Sequence, residues 1–242
     1  MKEFAKKLCT NAAKCGIITL QQTDKVRKGA CTMNSVITIS REFGSGGREI
    51  GKRLSEKLDI PFYDKELLEI ASKESGICRE LFDRNDEAYT NSFLYSLVVG
   101  NYPISSDGRI EPEMPINQRI FLAQFDTIKS IAAKGPCVIV WRCADYVLKN
   151  EKNTINFFIT GNTAEKKKRI LERYDIEKNK VEDFIKKTDK RRASYYNYYT
   201  DMKWGEARNF DLCINTSKTG IDGAVETMLA YIRIKESPVK ND

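Results

Sequence analysis

Short apolar runs alternate with amphipathic helical patterns along most of the chain. The β-branched run 36–40 predicts a buried strand, and the repeat of Ile50, Leu54 and Leu58 predicts a helix with one apolar face. Further apolar runs predict strands at 60–63, 137–141, 155–160 and 211–215. Strands that are apolar throughout need cover on both faces. The pattern therefore predicts an α/β fold with a parallel sheet flanked by helices.

Three segments depart from this alternation. Residues 79–115 are polar and rich in glycine and proline, which predicts an inserted subdomain. Residues 163–192 form two highly charged helical patterns. Residues 1–35 contain seven basic and two acidic side chains, and we interpret them as a loosely ordered extension. One domain is then predicted over residues 36–235, with a short tail at 236–242.

Composition excludes several classes of protein. Hydrophobic residues make up 41% of the chain and aromatic residues 10%, enough to fill a core, and no apolar run is long enough to span a membrane. Histidine is absent, which excludes Ser-His-Asp triads and histidine metal sites. The seven cysteines are scattered without a C-x-x-C pair, a pattern typical of a reduced, cytoplasmic protein.

The net charge of +7 is concentrated at the N-terminus. The chain has 41 basic and 34 acidic residues, and residues 1–35 contain seven of the basic and two of the acidic ones. The charge of the chain after residue 35 is therefore nearly balanced. This distribution disfavours nucleic acid as a partner of the main domain.

A glycine-rich loop lies between the first predicted strand and its helix. Glycines at such a junction let several backbone N–H groups converge, and the helix N-terminus adds its positive dipole, so the loop predicts a phosphate site. The alternative is a glycine-rich turn without a ligand. The candidate cofactor-binding residues are Gly44, Ser45, Gly46, Gly47, Arg48 and Glu49.

The loop departs from the strict P-loop pattern G-x-x-x-x-G-K-[ST]. If Gly46 is the second glycine of the motif, Gly47 stands where lysine is expected and Arg48 where Ser or Thr is expected. A shift by one residue places Arg48 at the lysine position and Glu49 at the hydroxyl position. In both registers the motif is degenerate, and Arg48 is the cation at the junction that we predict to replace the lysine in part.

Several motifs resemble the cytidylate kinase-like family in the order expected for that family. The resemblance spans about residues 35–235, and its motifs are residues 37–51, 61–66, 90–97, 142–146 and 193–200. It implies a P-loop kinase-like fold in which 79–115 is the monophosphate-binding insertion and 163–192 is the helical lid.

The resemblance also implies nucleotide substrates, with ATP and Mg²⁺ as cofactors. Arg142 falls where cytidylate kinases have an arginine that binds the acceptor phosphate, and Asp64 matches an aspartate after the second strand. Asp145, in the same motif as Arg142, is a further substrate-binding candidate. The alternatives are an Arg142–Asp145 ion pair and a helix-capping role for Asp64. The metal ligands are unknown, with Ser45 and a water held by Glu49 as candidates.

A basic cluster closes the lid-like segment. Phosphoryl transfer needs positive charge around the transferring group, and lid cations supply it without a general base. We therefore predict catalytic roles for Lys190 and Arg192, beside Arg48 and Arg142. The alternative for the cluster is a solvated helix face.

The leading hypothesis from the sequence is ATP-dependent phosphoryl transfer to a nucleoside monophosphate such as CMP or dCMP. A non-catalytic nucleotide-binding or regulatory protein that lost the P-loop lysine is the second hypothesis. A third, an RNA-associated protein, depends on the basic extension alone.

Overall fold

The computed structural model describes residues 33–84, 114–140 and 143–237. The strands are β1 (Val36–Arg41), β2 (Phe62–Tyr63), β3 (Val138–Val140), β4 (Thr154–Thr160) and β5 (Leu212–Asn215). The helices are α1 (Gly47–Leu58), α2 (Glu66–Ser75), α3 (Arg79–Arg84), α4 (Ile116–Ala133), α5 (Ala144–Val147), α6 (Thr163–Arg173), α7 (Val181–Thr200) and α8 (Thr216–Glu236), with a short 3₁₀ helix at Ala207–Asn209.

The five strands form one parallel sheet in the order β2-β3-β1-β4-β5. The central strand β1 pairs with β3 on one side and β4 on the other, so that Ile39 lies beside both Val140 and Phe157. Every residue of β1 is buried, as its continuous apolar run predicts. The predicted parallel sheet flanked by helices is confirmed.

Close packing of α1 on the sheet positions the loop that precedes it. A Cβ atom at Gly51 would lie 2.7 Å from Val140 Cγ2, a separation too short for a side chain. Glycine at this position therefore lets the helix lie directly against the strands. The first turn of α1 follows the carboxyl end of β1 after a short loop, and the close packing of the helix holds this turn in place.

Two helices have features that the sequence pattern does not predict. The second charged pattern, which ends at residue 192, belongs to a helix that continues to Thr200 as α7, because Tyr195 and Tyr196 are buried and extend its packed face. The last helix begins at Thr216 and contains a kink at Gly220, whose φ of 68° is not helical.

Several predictions concern residues outside the described ranges. They are the extension up to residue 32, most of the insertion (85–113), Arg142 and the tail from residue 238. The domain boundaries stay predictions. None of the helices described combines the length and apolar character that crossing a bilayer requires.

Candidate functional site

A cleft of about 320 Å³ opens where the loop after β1 meets the first turn of α1. The residue after β2 and the helices α6 and α7 complete its walls. Two acidic side chains line it, Glu42 and Asp64. The basic side chains that line it number seven: Arg41, Arg48, Lys65, Arg169, Arg173, Arg191 and Arg192. The cleft is therefore suited to a ligand with several negative charges.

Glycine is required at two positions of the loop. Gly44 and Gly46 have φ angles of +78° and +89°, and a Cβ at Gly44 would lie 3.0 Å from the Lys166 carbonyl oxygen. Gly46 is the N-cap residue of α1, and no side chain caps this end. Since the first N–H groups of a helix have no acceptor within it, the N-terminus of α1 is open to an anion.

A partly buried polar network ties the loop to α6 and α7. Glu42 accepts hydrogen bonds from Thr160 Oγ1 at 2.7 Å and from Lys166 Nζ at 3.1 Å. Lys166 Nζ also donates to Asp189 Oδ2 at 2.8 Å, and the other Asp189 oxygen accepts the backbone N–H of Phe43 at 2.6 Å. Each charge in this chain of contacts has an opposite partner. The network fixes the loop conformation and anchors α6 and α7 to it.

Arg169 and Thr216 contact the backbone carbonyl groups of the loop. Arg169 Nη1 lies 3.3 Å from the Gly44 carbonyl oxygen and 3.4 Å from that of Ser45. Thr216 Oγ1 donates to the Ser45 carbonyl oxygen at 2.8 Å. These donors offset the negative ends of the loop peptides and so reduce their repulsion of a bound anion.

Arg48 and Asp64, both predicted as site residues, meet at the cleft wall. Arg48 Nε donates to Asp64 Oδ2 at 2.5 Å, and this hydrogen bond raises the arginine pKa. The capping alternative for Asp64 is not borne out, since Lys65 occupies the N-cap position of α2. Asp64 is 2% exposed, and its Oδ1 has no hydrogen-bond partner among the residues described. The carboxylate is therefore held by one oxygen and retains an acceptor on the other.

Both candidates for magnesium ligation are engaged in contacts within the protein. Ser45 is fully buried, and its hydroxyl donates to the Glu42 carbonyl oxygen at 2.8 Å. Glu49 forms ion pairs with Arg53 at 2.5 Å and with Arg173. Burial alone would raise the Glu49 pKa, but the two arginines outweigh it, so the pKa is lowered. The described ranges contain no cluster of three acidic or cysteine side chains able to hold a metal. The described residues thus assemble no all-protein magnesium site, and Mg²⁺, which binds in such enzymes mainly through substrate phosphates, stays a prediction.

The basic cluster of residues 190–192 has side chains both in the cleft and in solvent. Arg191 and Arg192 line the cleft, whereas Lys190 is exposed and does not. Arg192 Nη1 donates to the Arg41 carbonyl oxygen at 3.3 Å, and its guanidinium lies 5.5 Å from the Phe43 ring centre. The helical period separates the three neighbours, because each residue turns about 100° from the last. Of the two predicted lid residues, the structure brings only Arg192 to the site.

Asp145 lies in the core and does not line the cleft. Tyr196 donates its hydroxyl to Asp145 Oδ2 at 2.6 Å, and burial raises the Asp145 pKa to about 6. Tyr195, beside it, donates to Gln124 Oε1 at 2.9 Å. These tyrosines pack the C-terminal half of α7 against the core. The role predicted for Asp145 in substrate binding stays a prediction, and so does that of Arg142.

Sequence reasoning missed Arg41, Lys166 and Asp189. Arg41 ends a strand whose other residues are apolar or hydroxylic, and this single charge is the signal that could have shown it. Lys166 and Asp189 lie within charged helical runs, where a buried cation or carboxylate looks the same as its exposed neighbours.

The family model for the cytidylate kinase-like family matches residues 36–218. The chain belongs to this family. Membership supports phosphoryl transfer to a small molecule, and the matched span includes the loop, the cleft residues, α6 and α7. Among curated proteins, none matches the chain.

Several solved structures are similar to the chain. An uncharacterized protein from Eubacterium ventriosum ATCC 27560 is 32% identical, with a TM-score of 0.61, over 82% of this chain and 98% of that one. A shikimate kinase from Acinetobacter baumannii in complex with shikimate is 12% identical, with a TM-score of 0.46, over 87% and 99% of the two chains. A gluconokinase from Sinorhizobium meliloti 1021 is 14% identical, with a TM-score of 0.45, over 84% and 95%.

Proposed function

We propose that the protein transfers the terminal phosphoryl group of ATP to a nucleoside monophosphate of the CMP or dCMP type. The observation that carries this proposal is the open N-terminus of α1, which faces a cleft lined by seven basic and two acidic side chains. A fully charged nucleotide pair needs such a surplus of positive charge. The choice of CMP or dCMP rests on the family resemblance.

The roles divide between the loop and the cleft walls. The loop from Gly44 to Gly47 binds the donor phosphates through N–H groups at the start of α1. Asp64 positions the acceptor through its unpartnered oxygen, with Arg142 on the acceptor phosphate. Arg192 neutralises charge that develops on the transferring group, and ATP supplies that group. No general base is required for this chemistry.

A second candidate is nucleotide binding without catalysis. It is favoured by Gly47 at the lysine position of the motif and by the engagement of Ser45 and Glu49 in protein contacts. A protein with this loop could retain the phosphate cradle after losing turnover.

A coupled assay that measures ADP release across a panel of nucleoside monophosphates distinguishes the two candidates. Turnover with one pyrimidine monophosphate supports the kinase. ATP binding in a thermal-shift measurement, without ADP release for any acceptor, selects the second candidate. Absence of ATP binding contradicts both.

Arg192 and Lys190 provide a matched pair of variants for this assay. Arg192→Gln removes a cation from the cleft, and we expect it to lower kcat by about 10- to 100-fold, the range for one lost charge-assisted hydrogen bond. Lys190→Gln removes an exposed charge from the same helix and should leave kcat within about twofold.

A further inference from the structure

Arg41 and Gly47 are exchanged relative to the P-loop motif. With Gly46 as the second glycine of G-x-x-x-x-G-K, position 41 is the first glycine and position 47 the lysine. This chain has the long cation at the first of these positions and no side chain at the second. The motif is therefore altered at both ends together.

The two positions are in direct contact. A Cβ atom built on Gly47 would lie 2.7 Å from Arg41 Cβ and 2.9 Å from Arg41 Cγ. Real side chains do not approach this closely, so Arg41 fills the space in which a lysine at 47 would begin. Only one of the two positions can carry a side chain while the backbone keeps this arrangement.

The register of β1 under α1 explains why Arg41 reaches the cleft. Ile39, two residues earlier and on the same strand face, lies 3.2 Å from the Cβ position of Gly51. Arg41 and Gly47 repeat this contact one step nearer the helix N-terminus. The Arg41 side chain thus starts beneath the first turn of α1, is 8% exposed and lines the cleft.

Two other cations near the loop are committed to carboxylates. Arg48 donates to Asp64 and is 61% exposed. The Lys166 ammonium lies between Glu42 and Asp189. Arg41 also has an interaction within the protein. It differs from the other two cations in its position, because its stem starts beneath the N-terminal turn that would receive the phosphate.

We propose that Arg41 is the phosphate-binding cation of this loop and takes the place of the missing lysine, with the polyphosphate of a nucleoside triphosphate as its ligand. This inference rests on the proposed function, because it requires that the cleft bind the donor phosphates. A guanidinium keeps its charge when buried and can bind two phosphate oxygens at once, which suits a position with little solvent access.

Titration calorimetry of the full chain with ATP, and separately with inorganic tripolyphosphate, tests this proposal. We expect Arg41→Gln to weaken binding of both ligands by about 10- to 100-fold, the range for one lost charge-assisted hydrogen bond. Arg208→Gln, which removes an arginine that is 80% exposed and pairs with Glu206, is the control and should bind like the parent.

The exchange of positions supplies a rescue. Gly47→Lys alone should be less stable than the parent, because its Cβ meets Arg41. The double variant Arg41→Gly/Gly47→Lys restores the motif, and we expect it to bind ATP within about threefold of the parent. A merely structural role for Arg41 would not predict this recovery of affinity.

The outcomes separate the two levels of the proposal. A parent chain that binds neither ligand overturns the proposed function and this inference with it. A parent that binds, together with an Arg41→Gln variant that binds equally well, overturns the role of Arg41 alone. If Arg41→Gln does not fold, the double variant decides, and its failure to bind ATP when folded also overturns the inference.

Discussion

Arg48 Nε lies 2.5 Å from Asp64 Oδ2, and this contact joins the first turn of α1 to the residue that follows β2. One partner is mostly exposed and the other is buried at 2% exposure. The arginine thus covers a carboxylate that would otherwise face the cleft as an unpaired charge. The pair connects the donor side of the proposed site to its acceptor side.

A double-mutant cycle on Arg48→Ala and Asp64→Ala should give a coupling energy of about 1 kcal/mol, because solvent screens the exposed arginine. Denaturant unfolding measures it. Arg48→Ala alone should destabilise more than its exposure suggests, since it leaves Asp64 buried without a partner. A coupling energy near zero would show that the contact contributes nothing to the folded state.

Fold class was accessible from the sequence because its signal is local. The continuous apolar run at β1 and the helical repeat of Ile50, Leu54 and Leu58 each depend on a few neighbouring residues. Both correspond to elements that the structure contains. The extension of α7 to Thr200 was not predicted, because burial of Tyr195 and Tyr196 depends on helices distant in sequence.

Of the residues that line the cleft, the sequence predicted only the loop glycines, Arg48, Asp64 and Arg192. Asp189 binds the Phe43 N–H across 146 positions of the chain, and no local pattern reports such a contact. The role of Arg41 could not be predicted either, because it depends on the contact of Arg41 with Gly47 in the folded chain. Long-range packing decides these roles, and the pattern of neighbouring residues in a single sequence does not report it.

Substitution of Gly44 tests whether the loop conformation is required. Gly44→Ala should lower the free energy of unfolding by about 2 to 4 kcal/mol, because alanine is strained at a φ of +78° and its Cβ meets the Lys166 carbonyl. Gly76→Ala is the matched control, since Gly76 also has a positive φ but its Cβ would enter open space. It should cost about 1 kcal/mol. Equal losses in the two variants would mean that packing around Gly44 is irrelevant.

Glu49 should make stability depend on pH in the acid range. Contacts with Arg173 and Arg53 lower its pKa in the folded state, despite the opposing effect of burial. Its contribution is therefore complete above the ordinary pKa near 4.5 and is lost as pH falls through the lowered folded value.

The measurement for Glu49 is the unfolding free energy of parent and Glu49→Gln between pH 3 and 7. We expect a deficit of about 1 kcal/mol for the variant at pH 7, and this deficit should shrink below about pH 4.5. Glu56→Gln is the control on the same helix, because Glu56 is 62% exposed and its lysine partner lies 4.0 Å away. A deficit that stays constant with pH would contradict the assigned ion pairs.

Asp145 should have the opposite dependence on pH. Burial raises its pKa from 3.8 to about 6, so the folded state holds a proton that the unfolded chain has already released in this range. Stability then falls as pH rises from about 4 to 6, and the shift corresponds to a loss of up to about 3 kcal/mol. Asp145→Asn resembles the protonated carboxyl and keeps an oxygen for the Tyr196 hydroxyl.

The variant should match the parent near pH 4 and exceed its unfolding free energy above pH 6. Tyr196→Phe removes a hydrogen bond that lowers the Asp145 pKa, so in that variant the decline in stability should begin at the same pH and extend to higher pH. If the parent and Asp145→Asn curves run parallel from pH 4 to 7, the carboxyl titrates normally and does not lie in the environment described here.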